Sequence, residues 1–122
     1  MARILIVDDE PDLLSILSEE LVKRGYQADA AFSGEEAIEK LKENRPDLVL
    51  LDIRMPGMGG LEALKRIREI GPDIGVIVVT AVRDARLAKE ALTLGAYDYV
   101  MKPVDFTHLE MVMTAKLIGM GR

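Results

Sequence analysis

Five short apolar runs punctuate the chain: Ile4 to Val7, Ala28 to Phe32, Leu48 to Leu51, Val76 to Val79 and Tyr97 to Met101. The first, third and fourth show no alternation of apolar and polar residues, as expected of strands covered on both faces. Between the runs, apolar residues recur at helical spacing. Leu14, Leu17 and Leu21 form one stripe, Ala37, Ile38 and Leu41 a second, and Leu61, Leu64 and Ile67 a third. Leu87, Ala91 and Leu94 make a fourth; Phe106, Leu109, Val112 and Leu117 a fifth. Ser33 followed by Glu36 has the form of a capping box, in which each side chain satisfies a backbone N–H at a helix start. Gly25, Gly71 and Gly95 stand where helices should stop, and Pro46 and Pro72 follow helix ends. Strand and helix thus alternate five times, which predicts an α/β domain with a parallel sheet between two helical layers.

In such a sheet the carboxyl ends of all strands meet at one edge, where ligand sites of open α/β folds lie. The residues after each apolar run therefore matter most. Asp8 and Asp9 follow the first, Asp52 the third, Thr80 the fourth and Lys102 the fifth. Taken singly, each has an ordinary reading. Asp8 or Asp9 would cap the next helix, Thr80 would cap or turn, Asp52 would sit in a turn, and Lys102 would be a solvated side chain. Their convergence on one edge makes the joint reading the stronger one.

Three carboxylates brought close together repel one another and call for positive charge. Lys102 offsets one negative charge, and a divalent cation offsets two. An all-oxygen donor set suits Mg2+. The chain has no cysteine, and its one histidine, His108, lies in a later helix, which disfavours zinc. A carboxylate is also a competent nucleophile toward phosphorus. Phosphoryl transfer demands positioning and neutralisation of charge rather than extensive acid-base chemistry. Asp52, alone after a central strand, is the natural acceptor. Asp8 and Asp9 are better suited to hold the metal, while Thr80 and Lys102 would neutralise the transferred oxygens.

Composition narrows the partners. The chain has 122 residues, 49% of them hydrophobic, and a net charge of −5. That length suits one domain over 1–122 with a core of its own. The acidic balance argues against a general grip on nucleic-acid phosphates. Asp8 and Asp9 interrupt the first apolar run too early for a signal peptide or membrane span, so a soluble, cytoplasmic protein is expected.

Four blocks carry a resemblance. They are Ile6-Val7-Asp8-Asp9-Glu10; the stretch from Leu50 to Gly60 containing Asp52-Ile53-Arg54-Met55-Pro56; Val79-Thr80-Ala81; and Gly95 to Pro103 with Lys102-Pro103. In order and spacing the chain resembles, along its whole length, the receiver domain of two-component response regulators. The resemblance implies a flavodoxin-like, doubly wound sheet of five parallel strands in order 2-1-3-4-5 with five helices, and a cis Lys102-Pro103 bond. It implies that Asp9, Asp52 and the backbone carbonyl of Arg54 ligate Mg2+, with Asp8 acting mainly through water. It implies a phosphoryl donor, a histidine kinase or phosphotransfer protein, and transfer to Asp52 assisted by Thr80 and Lys102.

Thr80 and Tyr99 would form the switch, with Thr80 turning toward the phosphoryl group and Tyr99 turning inward behind it; Tyr99 also reads as an ordinary half-buried strand aromatic. Ala81 would keep the approach to Asp52 open, and Arg54 and Val82 flank the acceptor and the hydroxyl. The face of the fourth helix, fifth strand and fifth helix would present the partner or homodimer surface. Met111, Ala115 and Ile118 form a second apolar strip on the last helix, readable as a contact surface or as edge packing.

Two other classes fit less well. A phosphatase of the haloacid dehalogenase type wants an Asp-x-Asp pair after its first strand, where this chain has Asp8-Asp9-Glu10-Pro11. A nucleotide- or flavin-binding module wants a glycine- or hydroxyl-rich loop there, not acids that repel phosphate. Whether the chain is a free-standing regulator or part of a longer one is left open by the sequence.

Overall fold

The computed structural model describes residues 1–121. The chain runs β1 (Arg3–Val7), α1 (Pro11–Lys23), β2 (Gln27–Ala31), α2 (Gly34–Glu43), β3 (Leu48–Leu51), α3 (Gly60–Ile70), β4 (Gly75–Thr80), α4 (Ala85–Thr93), β5 (Asp98–Met101) and α5 (Phe106–Gly119). All strand pairs are parallel, in the order β2-β1-β3-β4-β5. The expected doubly wound α/β sheet is the observed one.

The edge strands are the two whose sequences departed from continuous apolarity. β1, β3 and β4 are buried almost throughout, whereas β2 alternates exposed and half-buried positions and β5 is mostly half-buried. The alternating side chains of the central strands feed two cores, one on each face of the sheet. Leu5, Val7, Val49, Leu51, Val76 and Val78 pack on the side of α2, α3 and α4. Ile4, Ile6, Leu48, Leu50, Ile77 and Val79 pack on the side of α1 and α5. Each fully buried Leu or Ile contributes about 2 kcal/mol of apolar transfer energy, so the central strands anchor the fold.

The local signals mostly perform as read. Ser33 accepts from the Glu36 N–H at 3.1 Å as a capping box requires, but Glu36 reaches one residue further back and accepts from the Phe32 N–H at 2.6 Å rather than from that of the N-cap. Gly25 and Gly95 follow the ends of α1 and α4 with φ of 96° and 108°, a region other residues enter at a cost. Gly71 ends α3 differently, at φ −134°, where a Cβ would lie 2.4 Å from Ile74 Cδ1.

Two residues of the apolar runs fall outside the strands. Phe32 lies beyond β2 and is 51% exposed; its N–H donates to the Glu36 side chain of α2 and not to a neighbouring strand. Tyr97 precedes β5, although its N–H already donates to Val76 O at 2.7 Å. The Lys102-Pro103 bond is cis. No helix among the described residues is long and apolar enough to cross a membrane.

Candidate phosphoacceptor site

Backbone hydrogen bonds carry three site residues one step past their strands. The Asp8 N–H donates to Ala31 O at 3.1 Å, Asp52 N–H to Val7 O at 3.0 Å, and Lys102 N–H to Thr80 O at 2.9 Å. Each side chain therefore leaves the sheet from a peptide still held by a neighbouring strand, all at the carboxyl edge.

There the side chains meet. Lys102 Nζ donates to Asp8 Oδ2 at 2.7 Å, to Asp52 Oδ2 at 2.9 Å and to Glu10 Oε1 at 3.3 Å. The remaining oxygens of the two aspartates are pinned by the chain two residues on. Asp8 Oδ1 accepts from the Glu10 N–H at 2.9 Å, and Asp52 Oδ1 from the Arg54 N–H at 3.0 Å. Both aspartate side chains are nearly inaccessible, at 3% and 6% of full exposure. Burial raises the pKa of Asp8 above its ordinary value, with the charge of Asp52 adding to the effect. Hydrogen bonds from Lys102 and the Glu10 N–H, and the Lys102 charge, offset part of that rise. For Lys102 burial works toward a lower pKa, but its bonds to Asp8 and Asp52 and their charges outweigh it and hold the ammonium well above its ordinary value.

One ligand oxygen each from Asp8, Glu10 and Asp52 lies within 4.8 Å of the others. Hard carboxylate oxygens of this kind fit Mg2+ and do not fit a thiophilic metal.

The structure brings three of the expected site residues together. Asp8, Asp52 and Lys102 are in direct contact. Asp9 is exposed and lies outside the cluster of three carboxylates, and Glu10 stands in it instead. A signal for this was present. Adjacent residues of an extended segment point to opposite sides, so Asp8 and Glu10 share a side that Asp9 does not. Pro11 disfavours a helical backbone at residue 10, which sits at φ −94° and ψ 106°. The Arg54 side chain is exposed; the contact that residue makes with Asp52 is through its N–H.

Thr80 and Tyr99 converge on Val82. The fully buried Thr80 accepts from the Val82 N–H through Oγ1 at 3.3 Å, and the Tyr99 hydroxyl donates to Val82 O at 2.7 Å. Both therefore hold the segment leading from β4 to α4. Burial, and then the charges of Asp84 and Asp52, raise the pKa of Tyr99 above its ordinary value.

A buried aspartate pair beside a lysine, at the carboxyl edge of a doubly wound sheet, points to the class of phosphoacceptor signalling domains. Residues 4–114 match the family model of the response regulator receiver domain. The chain belongs to that family, and so is the receiver domain of a two-component response regulator. It is 41% identical to sporulation initiation phosphotransferase F of Bacillus subtilis, over 88% of this chain and 86% of that one. It is 42% identical to the chemotaxis protein CheY of Thermotoga maritima, over 83% of this chain and 85% of that one. The regulatory protein AtoC of Escherichia coli is 41% identical over 94% of this chain, which spans only 25% of AtoC. A receiver domain protein from Methanospirillum hungatei superposes with a TM-score of 0.95 at 31% identity, covering 99% of this chain and 97% of that one.

Proposed function

We propose that this domain accepts a phosphoryl group on Asp52 from the phosphohistidine of a kinase or phosphotransfer protein, with Mg2+ bound, and so switches a surface that binds a partner or a second copy. The observation that carries this reading is the seating of Asp52 Oδ2, buried and 2.9 Å from Lys102 Nζ, beside a second buried carboxylate.

The residues supply positioning and charge. The Arg54 N–H fixes Asp52 Oδ1, which leaves Oδ2 as the oxygen directed at the incoming phosphorus. That oxygen forms the new P–O bond while the bond from phosphorus to the donor nitrogen breaks, and the histidine keeps the electron pair. Lys102 turns from carboxylate to phosphoryl oxygen as negative charge arrives there, and the Thr80 hydroxyl leaves Val82 to donate to a second oxygen. Asp9 and Asp52, with the backbone carbonyl of Arg54, would hold the cation, with Asp8 acting mainly through water and Glu10 adding negative charge beside them. When bound, Mg2+ neutralises charge on the transferred oxygens. The phosphoryl group adds roughly −1.5 to −2 charge, judged from phosphorylated hydroxyls, at an edge whose polar contacts already lead to Thr80, Val82 and Tyr99. Loss of the Thr80–Val82 bond frees one of the two tethers on the segment before α4, so the face of α4, β5 and α5 responds.

Mass spectrometry after treatment with acetyl phosphate tests the reading. One added phosphoryl group is expected, mapped to Asp52, absent without Mg2+ and absent from Asp52→Asn. Labelling of Asp52→Asn at the rate and stoichiometry of the parent overturns the assignment.

A further inference from the structure

Glu10 occupies the N-cap of α1, yet its side chain makes no capping hydrogen bond. The chain caps other helices with side chains: Ser33 at α2, Asp84 at α4 and Asp105 at α5 each accept first-turn N–H groups. At position 10 an Asp, Asn, Ser or Thr would do the same. The carboxylate instead leaves the helix and reaches Lys102 Nζ.

An ammonium has three N–H donors, and Lys102 distributes them over three carboxylates. Two of these are buried, whereas the Glu10 side chain is 65% exposed. Glu10 is thus the solvent-side arm of the triad and makes the longest of its three contacts, at 3.3 Å, so it takes a share of the ammonium that would otherwise fall to the two aspartates. A divalent cation at this cluster competes with the ammonium for the charge of the same carboxylates. An ammonium held by Asp8 and Asp52 alone competes with that cation more strongly, and the site also loses one negative charge.

We propose that Glu10 is a positioning residue for cation binding: by sharing the Lys102 ammonium with Asp8 and Asp52, it leaves more of their charge to Mg2+. This rests on the reading of the site as a Mg2+-dependent phosphoacceptor and adds a residue to it.

The test measures Mn2+ affinity from the electron paramagnetic resonance of the free ion, in the parent chain, Glu10→Gln, Asp8→Asn and Glu43→Gln. Glu43, exposed at the far end of α2, controls for the change in net charge. Glu10→Gln should weaken binding about 10-fold, and Glu43→Gln less than about twofold. The Mg2+ concentration for half-maximal labelling by acetyl phosphate should rise by the same factor in Glu10→Gln. The melting temperature of the metal-free protein, which a merely structural role would lower, should move little. Affinity in Glu10→Gln within twofold of the parent, with Asp8→Asn clearly weakened, overturns the role of Glu10 and spares the site. An equal loss in Glu43→Gln reduces the effect to net charge and overturns it too. A parent chain that binds no Mn2+, or binds it undiminished in Asp8→Asn, overturns both readings.

Discussion

Asp8→Asn should stabilise the metal-free protein while removing most of its response to Mg2+. The substitution keeps the size of the side chain, and its amide oxygen can still accept the Glu10 N–H that now reaches Asp8 Oδ1 at 2.9 Å. What changes is charge. At an effective dielectric of about 20, the attraction across the 2.7 Å contact with Lys102 is roughly 6 kcal/mol. Asp52, with an oxygen within 4.8 Å, returns roughly 3.5 kcal/mol of repulsion on the same scale. Glu10, facing solvent, adds roughly 1–3 kcal/mol more. Attraction and repulsion nearly cancel, so desolvation of a buried carboxylate, worth several kcal/mol, decides the sign. The raised pKa of Asp8, with burial as its main cause, points the same way. Lys102 loses its shortest contact in the variant but retains Asp52 and Glu10.

A gain of about 1 kcal/mol is expected without metal, typical of a functional residue replaced by a neutral isostere. For a chain of this size that corresponds to a melting temperature roughly 3–6 °C higher. Thermal unfolding in EDTA and then in increasing Mg2+ checks it. A ligand at 100 times its Kd stabilises by about 2.7 kcal/mol, so saturating Mg2+ should bring the parent level with the variant or past it. A variant less stable than the parent by more than about 1 kcal/mol in EDTA would show that the Lys102 pairing outweighs the repulsion. Equal stabilisation of both proteins by Mg2+ would remove Asp8 from the cation site.

Two further outcomes follow from contacts near the same edge. A Cβ at Gly60 would lie 2.2 Å from Ile53 Cα and 2.6 Å from Asp52 O, both backbone atoms of the acceptor segment. Gly60→Ala should cost at least about 3 kcal/mol in urea unfolding, and a cost below 1 kcal/mol would show that this segment yields readily. Tyr99 has a pKa raised above its ordinary value of 10.0, so the folded state holds that proton more tightly than the unfolded chain. Its contribution is therefore complete below about pH 10 and is lost as pH rises through the folded value. Lys102, raised from 10.5, loses its contribution in the same direction at higher pH. Urea unfolding between pH 8 and pH 11 should show stability falling at the alkaline end, less steeply in Tyr99→Phe. Parallel curves for the two proteins would count against it.

The topology was legible because central strands must be apolar on both sides, and β1, β3 and β4 are written that way. The edge positions of β2 and β5 could be read from the same contrast. Boundaries were less legible where polar chemistry sits beside apolar residues. Phe32 looks like strand by composition, but the Glu36 side chain of α2 takes its N–H. At the site, Asp8, Asp52 and Lys102 were found because each follows a strand. Glu10 was not singled out because it does not directly follow the strand as Asp8 does, although the period of an extended segment puts residue 10 on the side of Asp8. The meeting of Thr80 and Tyr99 on Val82 was beyond a sequence reading. It depends on the path of the β4–α4 segment, to which no hydrophobic pattern applies.

The cluster persists because its members cannot separate. Asp8, Asp52 and Lys102 each begin from a peptide held by the neighbouring strand, and those strands are locked by two buried cores. Relieving the repulsion by moving a backbone would break ladder hydrogen bonds and expose central-strand side chains worth about 2 kcal/mol each. Turning a carboxylate outward would give up its contact with Lys102 and the N–H two residues on. The rigid sheet edge thus sustains a charge arrangement that a loop would relax, and a cation or a phosphoryl group finds oxygens and an ammonium already in place. If this holds, destabilising the core away from the site should weaken Mg2+ binding only once the fold itself begins to open, not in proportion to the lost stability. Leu48→Ala, fully buried at the amino end of β3 and so at the edge of the sheet opposite the carboxyl ends, should lose about 3 kcal/mol and keep its Mg2+ affinity within about twofold at 25 °C.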